Sequence, residues 1–327
     1  MVPLMPRRLN LALAWLAVPV VLSLLAYPLS APAQEVLFNK LNQSAMRLYR
    51  QGKYREGVKV AKEALKVGEE TFGYDHPSVA TSLNNLAALY YAQGRYALAE
   101  PFYKRALAID EKALGLDHPS VATSLNNLAL LYDTQGRYHL AEPLYKRALA
   151  IREKALEPDH PDVATSLISL AGFYYTQGRY ALAEPLYKRA LTIDEKALGA
   201  DHPDLATDLN NLGGLYYSQG QYAEAEPLYK RALAIKEKAL GPDHPSVATS
   251  LNNLALLYDT QGRYALAELL YKRALAIREK ALGPDHPNVA TILENYAALL
   301  RKTNRAAEAA KMESRAKRIR ASQYSRT

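Results

Sequence analysis

The sequence predicts an all-α protein, a solenoid of antiparallel helix pairs, and three observations carry that expectation. The tripeptide Asp-His-Pro returns at Asp75, Asp117, Asp159, Asp201, Asp243 and Asp285, always 42 residues apart. A fixed period of this length is the signature of a repeat architecture. Each interval holds two stretches with apolar residues at helical spacing, parted by a glycine turn. The copies are also nearly interchangeable: 120–156 and 246–282 differ only at His139 against Ala265 and at Pro143 against Leu269. Identity that close points to recent duplication of one unit.

Residues 1–33 read as a signal peptide. Arg7 and Arg8 precede the apolar run LNLALAWLAVPVVLSLLA, and Ala31-Pro32-Ala33 fits a cleavage motif that would leave Gln34 as the mature end. The expected location is therefore exported, periplasmic or secreted. The alternative is an uncleaved anchor, since the apolar run is nearly long enough to span a bilayer; Pro19 inside it favours removal. Arg7-Arg8 fits an ordinary positive segment better than a twin-arginine signal. There is no cysteine, hence no lipid-modified N-terminal cysteine and no disulfide, so packing alone holds the mature chain together.

Residues 34–77 form a degenerate first unit, marked by Gln51-Gly52-Lys53-Tyr54. Five close units follow over 78–288. In the first, Val79, Leu83, Leu86, Ala87 and Tyr90 line one face of a helix over Ser78–Ala92. Gly94 ends it by taking a positive φ. A second helix runs from about Tyr96 to Leu114, with Ala99, Tyr103, Ala106 and Leu107 on its buried side. The alanines let the paired helices approach and the tyrosines fill the space beside them. Pro101 falls early in this helix, where a missing hydrogen bond does least harm. Gly-x-Asp-His-Pro then stops the chain and restarts it, with proline at or near the first position of the next helix.

Residues 289–321 are expected to cap the stack, with 322–327 a disordered tail. There Asn304 replaces the turn glycine, Ala306 the next tyrosine and Glu313 the buried tyrosine of the second helix. A terminal repeat needs a polar outer face because no neighbour covers it.

Leu-x-x-Leu-Ala-x-x-Tyr, Gly-Arg-Tyr-x-x-Ala-Glu and Tyr-Lys-Arg-Ala-Leu together resemble the tetratricopeptide repeat in the 42-residue form of kinesin light chains. The resemblance covers about 36 to 320. It implies a right-handed superhelical solenoid and a non-enzymatic role in binding other proteins.

On a helical wheel at about 100° per residue, the core face of 78–92 centres near Leu83. Asn84 falls about 100° and Asn85 about 200° from Leu83, away from the partner helix. In a solenoid of helix pairs the first helices line the concave wall. The expected peptide-binding set is therefore Asn84 and Asn85, Asn126 and Asn127, Asn210 and Asn211, Asn252 and Asn253, and Asn295. Tyr91, Tyr175 and Tyr217, which share one position on that wall, complete it. An amide carries a donor and an acceptor and so satisfies a peptide backbone without reading its side chains. Asparagines at these positions hold cargo peptides in kinesin light chains, and the resemblance implies the same here. The competing reading has the amides bonded to neighbouring helices or to water.

The ladder is broken by Ile168 and Ser169. Gly172 and Gly214 either leave room for a guest side chain or set the curvature. Some members of the family clamp a C-terminal carboxylate with Lys or Arg on this face; Thr81, Asn85 and their equivalents stand there instead, which disfavours that activity.

One histidine per connecting loop does not make a metal site. Packed neighbours lie about 8–10 Å apart, whereas metal–nitrogen bonds are about 2 Å. Helix capping by Asp75 or His76 and their equivalents explains the motif better. His139 is an exposed one-off. No nucleophile sits beside a base and no phosphate loop occurs, so neither an enzyme nor a metal or cofactor is expected. Lys104-Arg105 and its repeats read as a solvated ridge.

The formal net charge is +8; the leader supplies +2 and residues 301–327 supply +7, leaving −1 for 34–300. Basicity at one end is not a nucleic-acid footprint, so the expected partners are proteins or peptides, without stable membrane insertion once the leader is cut. The alternative function is a structural spacer or a self-assembling repeat protein of the cell envelope.

Overall fold

The computed structural model describes residues 30–324. The leader lies outside the described residues, except that Ala31, Pro32 and Ala33 form the first turn of a helix. Among the described residues there are fourteen helices and no strand. They are α1 (Ala31–Arg50), α2 (Tyr54–Phe72), α3 (Pro77–Ala92), α4 (Tyr96–Leu114), α5 (Pro119–Thr134), α6 (Tyr138–Ala155) and α7 (Pro161–Thr176). After them come α8 (Tyr180–Leu198), α9 (Leu205–Ser218), α10 (Tyr222–Leu240), α11 (Pro245–Thr260), α12 (Tyr264–Leu282), α13 (Pro287–Lys302) and α14 (Ala306–Tyr324). Each odd-numbered helix packs on the next as a hairpin. The described residues divide into two compact units, 30–114 and 115–324. Within each, the hairpins stack as a solenoid of helix pairs.

In the first unit, Phe38 of α1 packs edge-on to Phe72 of α2 with ring centroids 5.2 Å apart. Gly68 is required there, because a Cβ would lie 2.7 Å from the Phe38 ring. In the second unit the α7–α8 layer is representative: Val163, Ala164 and Leu167 meet Ala190 and Ile193, all buried. Each fully buried valine, leucine or isoleucine contributes about 1.5–3 kcal/mol. Tyr145, Tyr187, Tyr229 and Tyr271 are buried in the second helices; burial pushes the Tyr187 hydroxyl up to about 12.

The turn inside each hairpin is built on positive φ. Gly178 has φ 70°, and the amides of Gly178 and Arg179 reach back to the carbonyls of Tyr175 and Tyr174, both at 2.9 Å. Asn304 takes the same conformation at φ 61°, as asparagine tolerates. Between hairpins, the loop histidine caps the next helix: the backbone N–H of Ser120 donates to His118 Nδ1 at 3.2 Å, and that of Ser246 to His244 Nδ1 at 3.2 Å. The aspartate beside it is free for another task, and Asp243 pairs with Lys280 at 2.9 Å.

Two local expectations need correction. Pro101 is the sixth residue of α4, not part of its first turn, so the Ala97 carbonyl loses its helical donor; Ala97 is exposed, on the solvent side of the helix. The Lys-Arg pairs are not a merely solvated ridge. Lys230 meets Glu226 at 2.6 Å within its helix, while Arg231 meets Glu195 of the preceding hairpin at 2.5 Å.

A second set of links staples hairpin to hairpin. Glu142 accepts from the Tyr174 hydroxyl at 3.1 Å and from the Arg179 guanidinium at 2.8 Å. These partners, with Lys146, hold its carboxyl down at about 2. The same pattern recurs with Glu226, Tyr258 and Arg263.

A candidate peptide groove

In the second unit the first helices of consecutive hairpins touch: α5 meets α7, α9 meets α11 and α11 meets α13. They form the inner wall of that unit, and its predicted asparagines and tyrosines are half-buried on these helices; Asn84, Asn85 and Tyr91 are half-buried on α3 of the first unit.

The amides are not left uniformly open. Asn253 Nδ2 donates to Asn210 Oδ1 at 3.4 Å, and Asn295 Nδ2 to Asn252 Oδ1 at 3.0 Å. Asn126 and Asn210 donate to the hydroxyls of Ser166 and Ser250, each at 3.3 Å. In the first unit Asn85 Nδ2 donates to Asn42 Oδ1 at 3.0 Å, beside Asn84. The row thus works in part as an amide ladder between neighbouring helices. Asn211 stands where Ile168 breaks the ladder, and among the described residues neither its side chain nor that of Asn127 forms a hydrogen bond.

The tyrosines are likewise engaged. The Tyr175 hydroxyl shares a hydrogen bond with Ser218 Oγ at 2.9 Å, and Tyr217 with Thr260 Oγ1 at 2.8 Å. The Tyr175 and Tyr217 rings lie against Tyr180 and Tyr222 with centroids 5.7 and 5.6 Å apart. In the first unit the Tyr91 ring lies 5.4 Å from that of Tyr96.

Where the ladder fails, the wall opens. A cavity of about 440 Å³ lies between α5 and α7, lined by Asn126, Asn127, Leu130, Ile168, Ser169, Gly172 and Tyr175, with Tyr145 and Arg152 contributed by α6. A Cβ at Gly172 would meet only the Tyr187 hydroxyl, at 3.6 Å, so the glycine leaves real space. Three predicted residues, Asn126, Asn127 and Tyr175, converge on this cavity. The other predicted residues do not line it. Volume, apolar walls and a few polar groups are what a small ligand or a side-chain subsite requires.

Sequence reasoning missed the charged residues contributed by the second helices. Arg152 is only 5% exposed. It donates to the Asp162 carbonyl and Ser166 Oγ, both at 3.0 Å, and to Thr123 Oγ1 at 3.1 Å. Its Nε is buried without a partner. The same position, 42 residues on, holds Asp194, then Lys236 and Arg278. Asp194 faces Asp208; burial and the neighbouring carboxylate push Asp208 up to about 8. The signal was present in the sequence: this position changes sign between units that are otherwise nearly constant.

Among the described residues no cluster has the composition of a metal site, and no helix is long and apolar enough to cross a membrane.

The tetratricopeptide repeat family model matches residues 37–112, 83–154, 120–196, 162–238, 209–280 and 270–322. The chain is similar to BtubC (BKLC) from P. vanneervenii, with 26% identity, a TM-score of 0.58 and coverage of 71% of this chain and 92% of that one. It is also similar to the nearly identical kinesin-light-chain-type TPR-like repeats of Podosopora anserina, with 32% identity, a TM-score of 0.55 and coverage of 63% and 97%. The Rap conjugation gene regulator of plasmid pLS20, solved with the Phr* peptide, shares the fold at 15% identity and a TM-score of 0.64, covering 91% and 78%. No curated protein matches the chain.

Proposed function

The chain belongs to the tetratricopeptide repeat family, and we propose that it is a non-enzymatic scaffold that holds extended segments of partner proteins against the inner wall of its first helices. The observation that carries this reading is the cavity between α5 and α7, where the amide ladder gives way to Ile168, Ser169 and Gly172. A guest backbone meets the uncommitted Asn127 and Asn211 amides, while one guest side chain enters the cavity beside Tyr175. The same fold holds the Phr* peptide in the Rap regulator. The leader composition supports a location in the envelope or outside the cell. The remaining amides of the set serve mainly to tie hairpin to hairpin.

A second reading, a structural spacer without a defined guest, draws support from those tied amides: Asn253 to Asn210 and Asn295 to Asn252.

Gly172→Leu separates the two. The equivalent positions in sister units are Leu130 and Leu256, so leucine is compatible with the fold, yet it fills the cavity. Helical content and melting temperature are expected to stay near wild type, while co-purification of partners from the exported fraction falls at least about tenfold, the effect of losing one well-packed contact of about 1.4 kcal/mol. Capture that persists unchanged would favour the spacer.

A further inference from the structure

Lysine and arginine in the second unit fall into two populations. On the outer faces of the second helices most are paired with a carboxylate, either of their own helix, as Lys230 with Glu226 at 2.6 Å, or of an earlier segment, as Arg231 with Glu195 at 2.5 Å, Arg273 with Glu237 at 2.5 Å and Lys280 with Asp243 at 2.9 Å. Three inner cations have none. Arg152 is 5% exposed and bonds only to neutral oxygens, while its Nε has no partner. Lys236 is 8% exposed, and no hydrogen bond or ion pair is formed by its ammonium among the described residues. Arg278 donates to Thr249 Oγ1 at 2.5 Å and meets no carboxylate; it lines a cavity of about 270 Å³ with Asn252 and Thr291.

These three occupy one register position of the 42-residue unit. Arg152 and Arg278 open onto cavities in the inner wall. Removing a charge from water without a counter-charge is unfavourable. Most outer cations are paired, and Arg320, at the same register in the last hairpin, meets Glu294 at 3.0 Å. Arg152, Lys236 and Arg278 form no ion pair, the Asp162 carboxylate acting on Arg152 only through its field, which leaves room for a counter-charge to arrive from outside. Burial and the nearby Arg278 also hold the Lys236 ammonium below its usual pKa, a strain that an incoming carboxylate relieves.

We propose that the inner wall over 119–302 takes an acidic peptide segment, whose carboxylates meet Arg152, Lys236 and Arg278. This rests on the groove reading above and names the chemistry of its guest. Asp194 holds the intervening place between Arg152 and Lys236, with Asp208 against it and Asp204 near, so the guest residue there is not acidic. Neighbouring hairpins lie about 10 Å apart and an extended chain rises about 3.3 Å per residue. The favoured guest therefore carries acidic residues spaced by about six and then about three positions.

The test is fluorescence anisotropy on the full chain with three labelled peptides of one length. One carries glutamate at three positions with that spacing, one glutamine, and one phosphoserine. The glutamate peptide is expected to bind at least about tenfold more tightly than the glutamine peptide. Arg152→Met, Lys236→Met and Arg278→Met are each expected to weaken it about tenfold, while Arg189→Met, which removes an outer cation paired with Glu153, leaves it unchanged. Equal affinity for glutamate and glutamine peptides overturns the proposal without needing any variant to fold. So does an equal loss in Arg189→Met, which would signal diffuse attraction, and so does binding of the phosphoserine peptide alone. Gly172→Leu tells the two claims apart. If it weakens the glutamine peptide while charge makes no difference, the groove stands and the acidic guest falls; if it alters no peptide, the groove reading itself falls.

Discussion

Asp208 stands where four other units carry serine, at Ser82, Ser124, Ser166 and Ser250. Ser166 and Ser250 accept from asparagine amides of the preceding unit, and Ser82 donates to Asn42 Oδ1. Asp208 instead faces Asp194, is 3% exposed, and leaves Oδ2 without a partner. Burial and the facing carboxylate raise it to about 8, and burial raises Asp194 as well. Between the ordinary carboxylate range and pH 8 the folded chain therefore holds a proton that the unfolded chain has released. Stability falls as pH rises through that window. Asp208→Ser is expected to raise the melting temperature at pH 8, consistent with removing a buried, poorly satisfied group worth about 1–3 kcal/mol. The gain should shrink toward pH 4. Thermal scans of both proteins across that range check it; a constant difference at all pH values would contradict the proton-sharing account. Nothing in the sequence near Asp208 announces this, because its partner comes from the preceding helix.

At the scale of the element, most of the architecture was legible. Helical spacing, the turn glycines and the Asp-His-Pro loops mark where each helix begins and ends, since they reflect backbone rules that act within a few residues. Two details followed equally local rules. Glu157 stands where other units have glycine, and α6 ends at Ala155 with the chain leaving extended through Leu156 at φ −123°. Pro143, equivalent to Pro101, removes a hydrogen bond from α6 beyond its first turn. Leu269 occupies that position in α12 and is 65% exposed, so leucine meets no steric obstacle there. Pro143→Leu is expected to raise the melting temperature, with a gain of at least about 1 kcal/mol toward the roughly 3 kcal/mol that separates proline from good helix formers. A lower melting temperature would mean that the proline bend is needed for stacking. What the sequence hid was the commitment of side chains across units. Whether Asn253 faces a guest or Asn210 depends on a residue 43 positions away, and no local pattern distinguishes the two.

For the whole molecule, the net charge of +8 is a poor guide to partners, because most of it sits outside 34–300. What matters is where opposite charges fail to meet. Outer cations such as Arg231, Arg273 and Lys280 are matched to carboxylates by the repeat period itself, so duplication copies each pair together. The inner position escapes that constraint and varies freely as Arg152, Asp194, Lys236 and Arg278. Near-identical units thus supply a constant frame, and in the proposed reading a few inner side chains supply its selectivity. In sequence these cations look like any solvated lysine or arginine; only the stacking of hairpins separates a neutralised outer row from a bare inner one.

The central claim is that a guest segment lies in the inner wall at the cavity between α5 and α7. The chain has one tryptophan, Trp15, so Trp15→Phe combined with Leu130→Trp places a single reporter at the cavity, where Leu130 is 43% exposed. A matched reporter at Leu182, 44% exposed on the second helix α8, serves as the outer control. Adding the glutamate peptide is expected to shift the emission of the Leu130→Trp chain to shorter wavelength and to saturate, while the Leu182→Trp chain stays unchanged. No shift at position 130 with bound peptide, or an equal shift at both positions, would contradict the account.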